Sequence, residues 1–183
     1  MIDPIKFTNF KLNQPGLEGY ILFSIAVAGK NALTTAKILD NLIDERKPFQ
    51  SIRKYGSQKT LCSQMKKIGF GCYNLKSHGF WWIANSGLDL KKCSIEDLEK
   101  CPGIGMKTSR FFAMHTRPKC DVACLDVHIL KYMRDIGHPN VPKQTPTRKK
   151  YLEIQEAFLN ICRKKNIHPA VMDLQIWNEY RII

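Results

Sequence analysis

The sequence has no apolar run of the roughly 18 to 20 residues that a helix needs to cross a bilayer. Its first ten residues, MIDPIKFTNF, contain Asp3 and no long apolar core, so they do not predict a secretory signal peptide. These two absences argue against the integral membrane and secreted classes of protein. We therefore expect a soluble, intracellular protein that acts in the cytoplasm, the nucleoid or a nucleus and has no membrane partner.

Paired cysteines are also absent. The seven cysteines form an odd set without a C-x-x-C pair, and most of them lie among apolar residues. This pattern is typical of free core cysteines in a reducing compartment. Cys120 and Cys124 are possible metal ligands in principle, but no second pair follows at a suitable spacing, so no metal site of this kind is expected.

Acidic residues are scarce relative to basic ones. The chain has 16 Asp and Glu against 29 Lys and Arg, which gives a formal net charge of +13. Such an excess raises the local concentration of a polyanion, so nucleic acid is the leading class of partner. The alternative is a basic protein that is merely soluble. Hydrophobic residues make up 44% of the 183 residues, which is enough for a core in one domain or in two small lobes.

No segment has a convincing strand pattern, whereas apolar residues recur at helical spacing. Residues 17–28 are apolar nearly all round, which predicts a central buried helix, and Asn31 is placed to cap the next one. The first 16 residues are interpreted as an extended lead-in, a break is predicted at Lys47-Pro48, and the proline-rich stretch 137–146 is predicted to be a loop. Further helices are predicted at about 58–67, 73–84, 94–101, 106–116, 126–136, 147–164 and 168–180. The sequence thus favours a compact all-α protein.

One segment contains candidate phosphate-binding and catalytic residues. The turn PGIG at 102–105 separates two helix patterns, and its two glycines leave backbone N–H groups uncovered at the start of the second helix, where a phosphate can bind. Ser94 and Asp97 have the spacing of a capping box for the first helix. Lys107 follows the turn, and Asp126 lies later in an apolar stretch where an unpaired carboxylate is costly. A glycine turn that only joins two helices is the alternative interpretation.

These residues resemble a known superfamily. CPGIGMK at 101–107, followed by LDVH at 125–128, is similar to the hairpin and aspartate motifs of the helix-hairpin-helix DNA glycosylases related to endonuclease III and 8-oxoguanine DNA glycosylase. Weaker similarities extend the resemblance over most of the chain. Residues 21–37 resemble the buried helix and lesion-facing turn, GFGCYNLK at 69–76 resembles the loop that enters the duplex, and DLQIW at 173–177 resembles a late helix.

The resemblance implies an all-α, two-lobed helix-hairpin-helix glycosylase fold with the active-site cleft between the lobes. One lobe is expected to contain residues 1–30 and 121–183, and the other residues 31–120, ending in the hairpin at about 94–116. The implied activity is a base-excision glycosylase with lyase activity at apurinic or apyrimidinic (AP) sites, with damaged duplex DNA as partner. A monomer is expected.

The resemblance also implies roles for individual residues. Lys107 is expected to be the nucleophile that forms a Schiff base at C1′, and Asp126 to stabilise positive charge there. Asp126 alternatively only caps the helix that begins at Val127. The amides of Gly103 and Gly105 are expected to bind a DNA phosphate, and the carbonyls near Cys101 and Gly103 to hold a K⁺ or Na⁺ ion, as hairpin carbonyls of the family often do.

Other positions are implied to face the DNA or the flipped base. His128 is expected to contact the backbone near the lesion, although a core or surface histidine is an alternative. Gap-filling side chains are expected among Lys30, Asn31, Cys72 and Tyr73, where Asn31 is alternatively a helix cap and Tyr73 a core aromatic. Phe111 is expected in the base pocket, either stacking on the base or filling the core.

The expected lesion is 8-oxoguanine, an oxidised purine. The spacing of Lys107 and Asp126 resembles the 8-oxoguanine branch, and the C-terminal part lacks the cysteine cluster that binds an iron–sulfur centre, because the last cysteine is Cys162. No iron–sulfur cofactor is therefore expected. Two alternatives are a glycosylase for oxidised pyrimidines or mismatched bases and a non-catalytic hairpin module that recognises DNA structure.

Overall fold

The computed structural model describes residues 7–180, which contain ten α-helices and no β-strand, so the predicted all-α class is confirmed. Within this range no helix is long and apolar enough to span a membrane. The helices are α1 Gln14–Val27, α2 Ala32–Asp40, α3 Pro48–Arg53, α4 Gln58–Lys67, α5 Tyr73–Asn85, α6 Ile95–Glu99, α7 Met106–Thr116, α8 Val127–Asp135, α9 Arg148–Lys165 and α10 Pro169–Tyr180.

Two helix starts differ from the sequence-based expectation because proline is well suited to the first helical turn. Helix α1 begins three residues earlier than predicted, since the Asn13 side chain accepts a hydrogen bond from the Gly16 amide and Pro15 lies in the first turn. Pro48, read from the sequence as a break, instead begins the short helix α3. The first six residues of the predicted lead-in lie outside the described residues.

The core consists of two main apolar clusters. The larger cluster runs from Phe7 to Phe112 and contains the buried faces of α1 to α7. The smaller cluster runs from Ala123 to Ile176 and joins the segment before α8 to α8, α9 and α10.

Helix α1 lies in the larger cluster, where it contacts α2, α3, α5 and α7. The sequence-based division places residues 1–30 with the C-terminal lobe instead, and the packing of α1 differs from it. The physical reason is that α1 is apolar nearly all round, so its periodicity has no polar face to show which lobe it joins.

A polar network ties the hairpin helices to the smaller cluster. The buried guanidinium of Arg110 on α7 donates to Glu99 of α6 at 2.6 Å and to Gln155 of α9 at 2.9 Å. Arg148, at the start of α9, donates to the other oxygen of Glu99 at 2.8 Å. The Gln155 oxygen also accepts from the Ala123 amide at 3.3 Å. The position of α7 is thereby coupled to the segment that leads into α8.

Candidate active site

The hairpin forms as the sequence predicts. The capping box at Ser94 and Asp97 is confirmed, since each side chain accepts a hydrogen bond from the backbone N–H of the other residue. After α6, Gly103 takes a left-handed backbone with φ +84°. Gly105 is the N-cap of α7 and provides no side-chain acceptor. The first turn of α7 therefore presents backbone N–H groups without a side-chain cap, which is the arrangement that binds an anion.

Helix α5 packs directly on this turn at Gly79. A methyl group added to Gly79 would lie 2.4 Å from the Pro102 carbonyl oxygen, and the Cys101 thiol donates to the Gly79 carbonyl at 3.4 Å. The two backbones are thus in contact, and the hairpin has a fixed position. The sequence reasoning missed Gly79, whose only local signal is a glycine within a helix, where glycine is unfavourable by about 1 kcal/mol.

A cavity of about 570 Å³ is lined by residues of α1 and α7 on one side and by residues at the start of α8 and on α10 on the other. Its volume is within the usual range of small-molecule sites. Six of the predicted site residues line it, namely Lys30, Asn31, Lys107, Phe111, Asp126 and His128. Its other lining residues are Phe7, Phe23, Ser24, Val27, Ala28, Gly29, Ala32, Thr108, Cys124, Val127, Asp173 and Trp177. The structure thus brings together residues that are distant in the sequence. Of these six, Lys30 and His128 are the farthest apart, at 98 positions.

Lys107 and Asp126 approach the cavity from two helix starts. Lys107 is half-buried in the first turn of α7, and Asp126 is the half-buried N-cap of α8. The Asp126 Oδ1 atom accepts from the backbone amides of His128 and Ile129, both at 2.9 Å. The predicted cap is confirmed, and the same carboxylate also faces the cavity. Capping fixes its position, so the structural and the catalytic interpretations are compatible.

Phe111 belongs to an aromatic wall of the cavity. Its ring centroid lies 5.2 Å from that of Phe7, 5.8 Å from Tyr20 and 4.9 Å from His115. The side chain therefore packs in the core and lines the cavity at the same time. A planar base has an apolar surface to stack against at this position.

The two loops predicted to enter the duplex lie side by side. A methyl group on Gly71 would meet the Lys30 side chain at 2.6 Å, so the loop at 28–31 contacts the loop at 69–72. Asn31 caps α2 by accepting from the Thr34 amide at 3.0 Å, which confirms that alternative while leaving the side chain at the cavity. Cys72 and Tyr73 start α5 and do not line the cavity. Gly103 and Gly105 also lie outside it.

The sequence reasoning missed a buried pair at the back of the cavity. Asp173 of α10 is 6% exposed and accepts a hydrogen bond at 3.2 Å from His115 of α7, which has no exposed surface. Burial raises the pKa of the Asp173 carboxyl, while the bond from His115 acts in the opposite direction. The sequence does contain DLQIW at 173–177, which resembles a helix late in the chain of the glycosylases. That resemblance gives no role to its aspartate.

Metal ligands do not cluster in the described part of the chain. Within residues 7–180, no group of three or more His, Cys, Asp or Glu side chains is arranged to hold a metal ion. The K⁺ or Na⁺ ion expected at the carbonyls near Cys101 and Gly103 stays a prediction. The turn that would hold it is closed by a hydrogen bond from the Ile104 amide to the Cys101 carbonyl at 3.0 Å.

Comparison with solved structures identifies the fold. The fold is similar to that of the Methanocaldococcus jannaschii 8-oxoguanine glycosylase/lyase in complex with a 15mer DNA containing 8-oxoguanine, with a TM-score of 0.75 and 21% sequence identity, over 98% of this chain and 88% of that chain. It is also similar to the 8-oxoguanine DNA glycosylase of Thermotoga maritima, with a TM-score of 0.73 and 19% identity, over 96% and 85% of the two chains. The helix-hairpin-helix glycosylase fold is therefore confirmed.

Sequence comparison narrows the class to a family. Residues 87–167, which contain the hairpin, Lys107 and Asp126, match the model of the family described as 8-oxoguanine DNA glycosylase. Relatives named 8-oxoguanine DNA glycosylase/AP lyase include those of Picrophilus torridus, 34% identical over 80 residues (44% of this chain, 37% of the relative), and Metallosphaera sedula, 26% identical over 133 residues (67% and 64%). The predicted resemblance is confirmed, and residues 87–167 carry it most clearly. The chain thus spans 37% of the length of the first relative and 64% of the length of the second.

Proposed function

We propose that the protein is a bifunctional DNA glycosylase and AP lyase that removes 8-oxoguanine from duplex DNA through a Schiff base on Lys107. The observation that carries this proposal is that Lys107 and Asp126, which start two different helices, line one cavity beside the hairpin. A base inside a duplex is out of reach of such a cavity, so the nucleotide has to be extruded. The names of the relatives and the family model that matches residues 87–167 support 8-oxoguanine as the base.

The DNA backbone meets the hairpin in this proposal. Uncovered amides at Gly103 and Gly105 and the first turn of α7 bind a phosphate without reading sequence, and the net charge of +13 draws the duplex to the surface. The carbonyls of Cys101 and Gly103 would hold a monovalent cation, which would supply positive charge for phosphate binding at the hairpin. Further contacts around the extruded nucleotide come from His128, Lys30, Asn31, Cys72 and Tyr73.

The chemistry follows from the placement of two side chains. The neutral amine of Lys107 bonds to C1′ as the C1′–N9 bond breaks, and the base leaves with the electron pair and takes up a proton. The C1′–O4′ bond then opens as O4′ takes up a proton, which gives the Schiff base. Loss of a C2′ proton follows, the C3′–O bond breaks, and the 3′ phosphate leaves with the electron pair. Asp126, held by its two cap hydrogen bonds, stabilises the positive charge that develops at the sugar.

Borohydride trapping tests the covalent step. Sodium borohydride should link the protein to duplex carrying 8-oxoguanine or an abasic site, and Lys107→Gln should abolish the adduct while DNA binding persists. Lys119→Gln is a matched control, because Lys119 is exposed and lies outside the cavity. An undiminished adduct with Lys107→Gln would refute the assignment of the nucleophile.

Asp126→Asn provides the second arm of this experiment. Asparagine also caps helices, so thermal unfolding should change little. Single-turnover base release should fall by a factor on the order of 10². Release at the wild-type rate would show that the carboxylate only caps α8.

The substrate is tested by side-by-side single-turnover cleavage of duplexes that contain 8-oxoguanine, thymine glycol or uracil. The salt concentration is fixed because a protein with a net charge of +13 binds any duplex at low ionic strength. We expect 8-oxoguanine to be released fastest. Faster release of thymine glycol would favour a glycosylase for oxidised pyrimidines.

A further inference from the structure

The cavity contains a second carboxylate, Asp173, that the proposed chemistry does not use. It lies on α10 and is 6% exposed, yet it lines the same cavity as Lys107 and Asp126. A buried carboxylate is costly unless it is hydrogen-bonded or binds a donor group. In the described structure, the side chain that donates to it is His115.

His115 is held so that it fixes the orientation of this carboxylate. Its Nε2 atom lies 3.2 Å from Asp173 Oδ2, and its Nδ1 atom lies 2.7 Å from the Thr8 hydroxyl oxygen. The ring packs edge-on against Phe7, at 4.7 Å between centroids, and against Phe111, at 4.9 Å. The imidazole is fully buried and engaged at both nitrogens, so it has little freedom to turn.

The surroundings of Asp173 suit a flat, polar ring. Phe111 lies one turn before His115 on α7, and Trp177 lies one turn after Asp173 on α10, and both aromatic side chains line the cavity. An aromatic wall offers stacking to any base. A carboxylate in such a wall accepts hydrogen bonds and donates none, so it selects a base edge that carries N–H groups.

We propose that Asp173 recognises the extruded base by accepting a hydrogen bond from its N7–H, and that His115 is the positioning residue that keeps the carboxylate oriented and charged. This inference rests on the proposed function. Guanine has a lone pair at N7 where 8-oxoguanine has an N–H, so the same carboxylate attracts the oxidised base and repels the normal one. One oxygen of the Asp173 carboxylate already accepts a hydrogen bond from His115. The carboxylate therefore suits a base edge with a single N–H better than an edge with two donors.

The test compares three substrates in the wild type and in Asp173→Asn. These are duplexes carrying 8-oxoguanine, 8-bromoguanine, whose N7 keeps its lone pair beside a bulky C8 substituent, and a preformed abasic site. We expect Asp173→Asn to slow release of 8-oxoguanine at least tenfold and to reduce the preference for 8-oxoguanine over 8-bromoguanine at least fivefold. Strand cleavage at the abasic site should stay within twofold of wild type, because that substrate has no base to recognise.

The abasic-site arm also reports folding, so the test remains informative if the substitution is destabilising. An equal loss on all three substrates would overturn the inference in favour of a structural role. An unchanged preference would overturn it too. If the wild type cleaves none of the duplexes, the proposed function itself fails, which is distinct from a loss confined to Asp173→Asn.

A second pair of variants tests the positioning role. In His115→Gln the side-chain amide retains an N–H that can reach Asp173, whereas in His115→Leu no donor remains. The preference for 8-oxoguanine over 8-bromoguanine should be largely kept by the first variant and lost by the second. Equal preference in the two variants would show that His115 only fills the core.

Discussion

The hairpin turn and the adjacent loop pair are both predicted to meet DNA, but they are built in opposite ways. The turn is packed backbone against backbone, with the Pro102 carbonyl on Gly79. In the loop pair, the contact runs through the end of the flexible Lys30 side chain on Gly71, and a methyl group on Gly29 would meet nothing within 4 Å. The part that is proposed to hold the phosphate and the nucleophile is thus fixed, whereas the part that is proposed to meet the gap in the duplex can adjust.

Gly79→Ala is the substitution expected to disturb the packed hairpin most. The new methyl group would lie 2.4 Å from a backbone oxygen, so α5 or the hairpin has to shift. We expect a loss on the order of 3 kcal/mol in the free energy of unfolding, reduced by up to about 1 kcal/mol because alanine is the better helix former. Urea unfolding measures the loss, and duplex binding should weaken as well.

Gly71→Ala is the matched control for the loop pair. Its methyl group would meet the Lys30 Cε atom, which can move away at little cost. The free energy of unfolding should change by less than about 0.5 kcal/mol. Equal losses for the two variants would contradict the contrast between a fixed hairpin and adjustable loops.

A second prediction concerns the charges that anchor the hairpin. Glu99→Gln leaves the guanidinium of Arg110, 5% exposed, without its ionic partner, and we expect a loss of about 2 kcal/mol. Arg148→Gln removes the other partner of the same carboxylate. The Arg148 side chain is 57% exposed, so its loss should destabilise the protein less than Glu99→Gln does. Chemical denaturation of both variants tests the order, and the reverse order would contradict the anchoring role of Arg110.

The smallest effect is expected at the capping box and depends on pH. Hydrogen bonds from Lys100 and Ser94 lower the pKa of Asp97 from 3.8 to about 2. A carboxyl whose pKa is lower in the folded state stabilises it above the unfolded pKa, and this contribution is lost as the pH falls through the folded pKa. The difference in unfolding free energy between wild type and Asp97→Asn should therefore shrink between about pH 4 and pH 2. A difference that does not change with pH would contradict the ionic contribution.

The sequence by itself determined the local features. Neighbouring residues fix a turn or a cap, so PGIG predicted the hairpin, Ser94 and Asp97 the capping box, and Asp126 the start of α8. The motif also placed Lys107 correctly beside the turn. These predictions depend on atoms within a few positions along the chain, which is why they could be made without tertiary structure.

Only the tertiary structure decided which distant side chains meet. His115 and Asp173 are 58 positions apart, and Arg110 and Gln155 are 45 apart. The apolar pattern of α1 could not show which cluster it would join, and a glycine in α5 gave no sign that a carbonyl would lie against it. Such contacts depend on how whole helices pack, because close packing selects one arrangement among many that satisfy the same local rules.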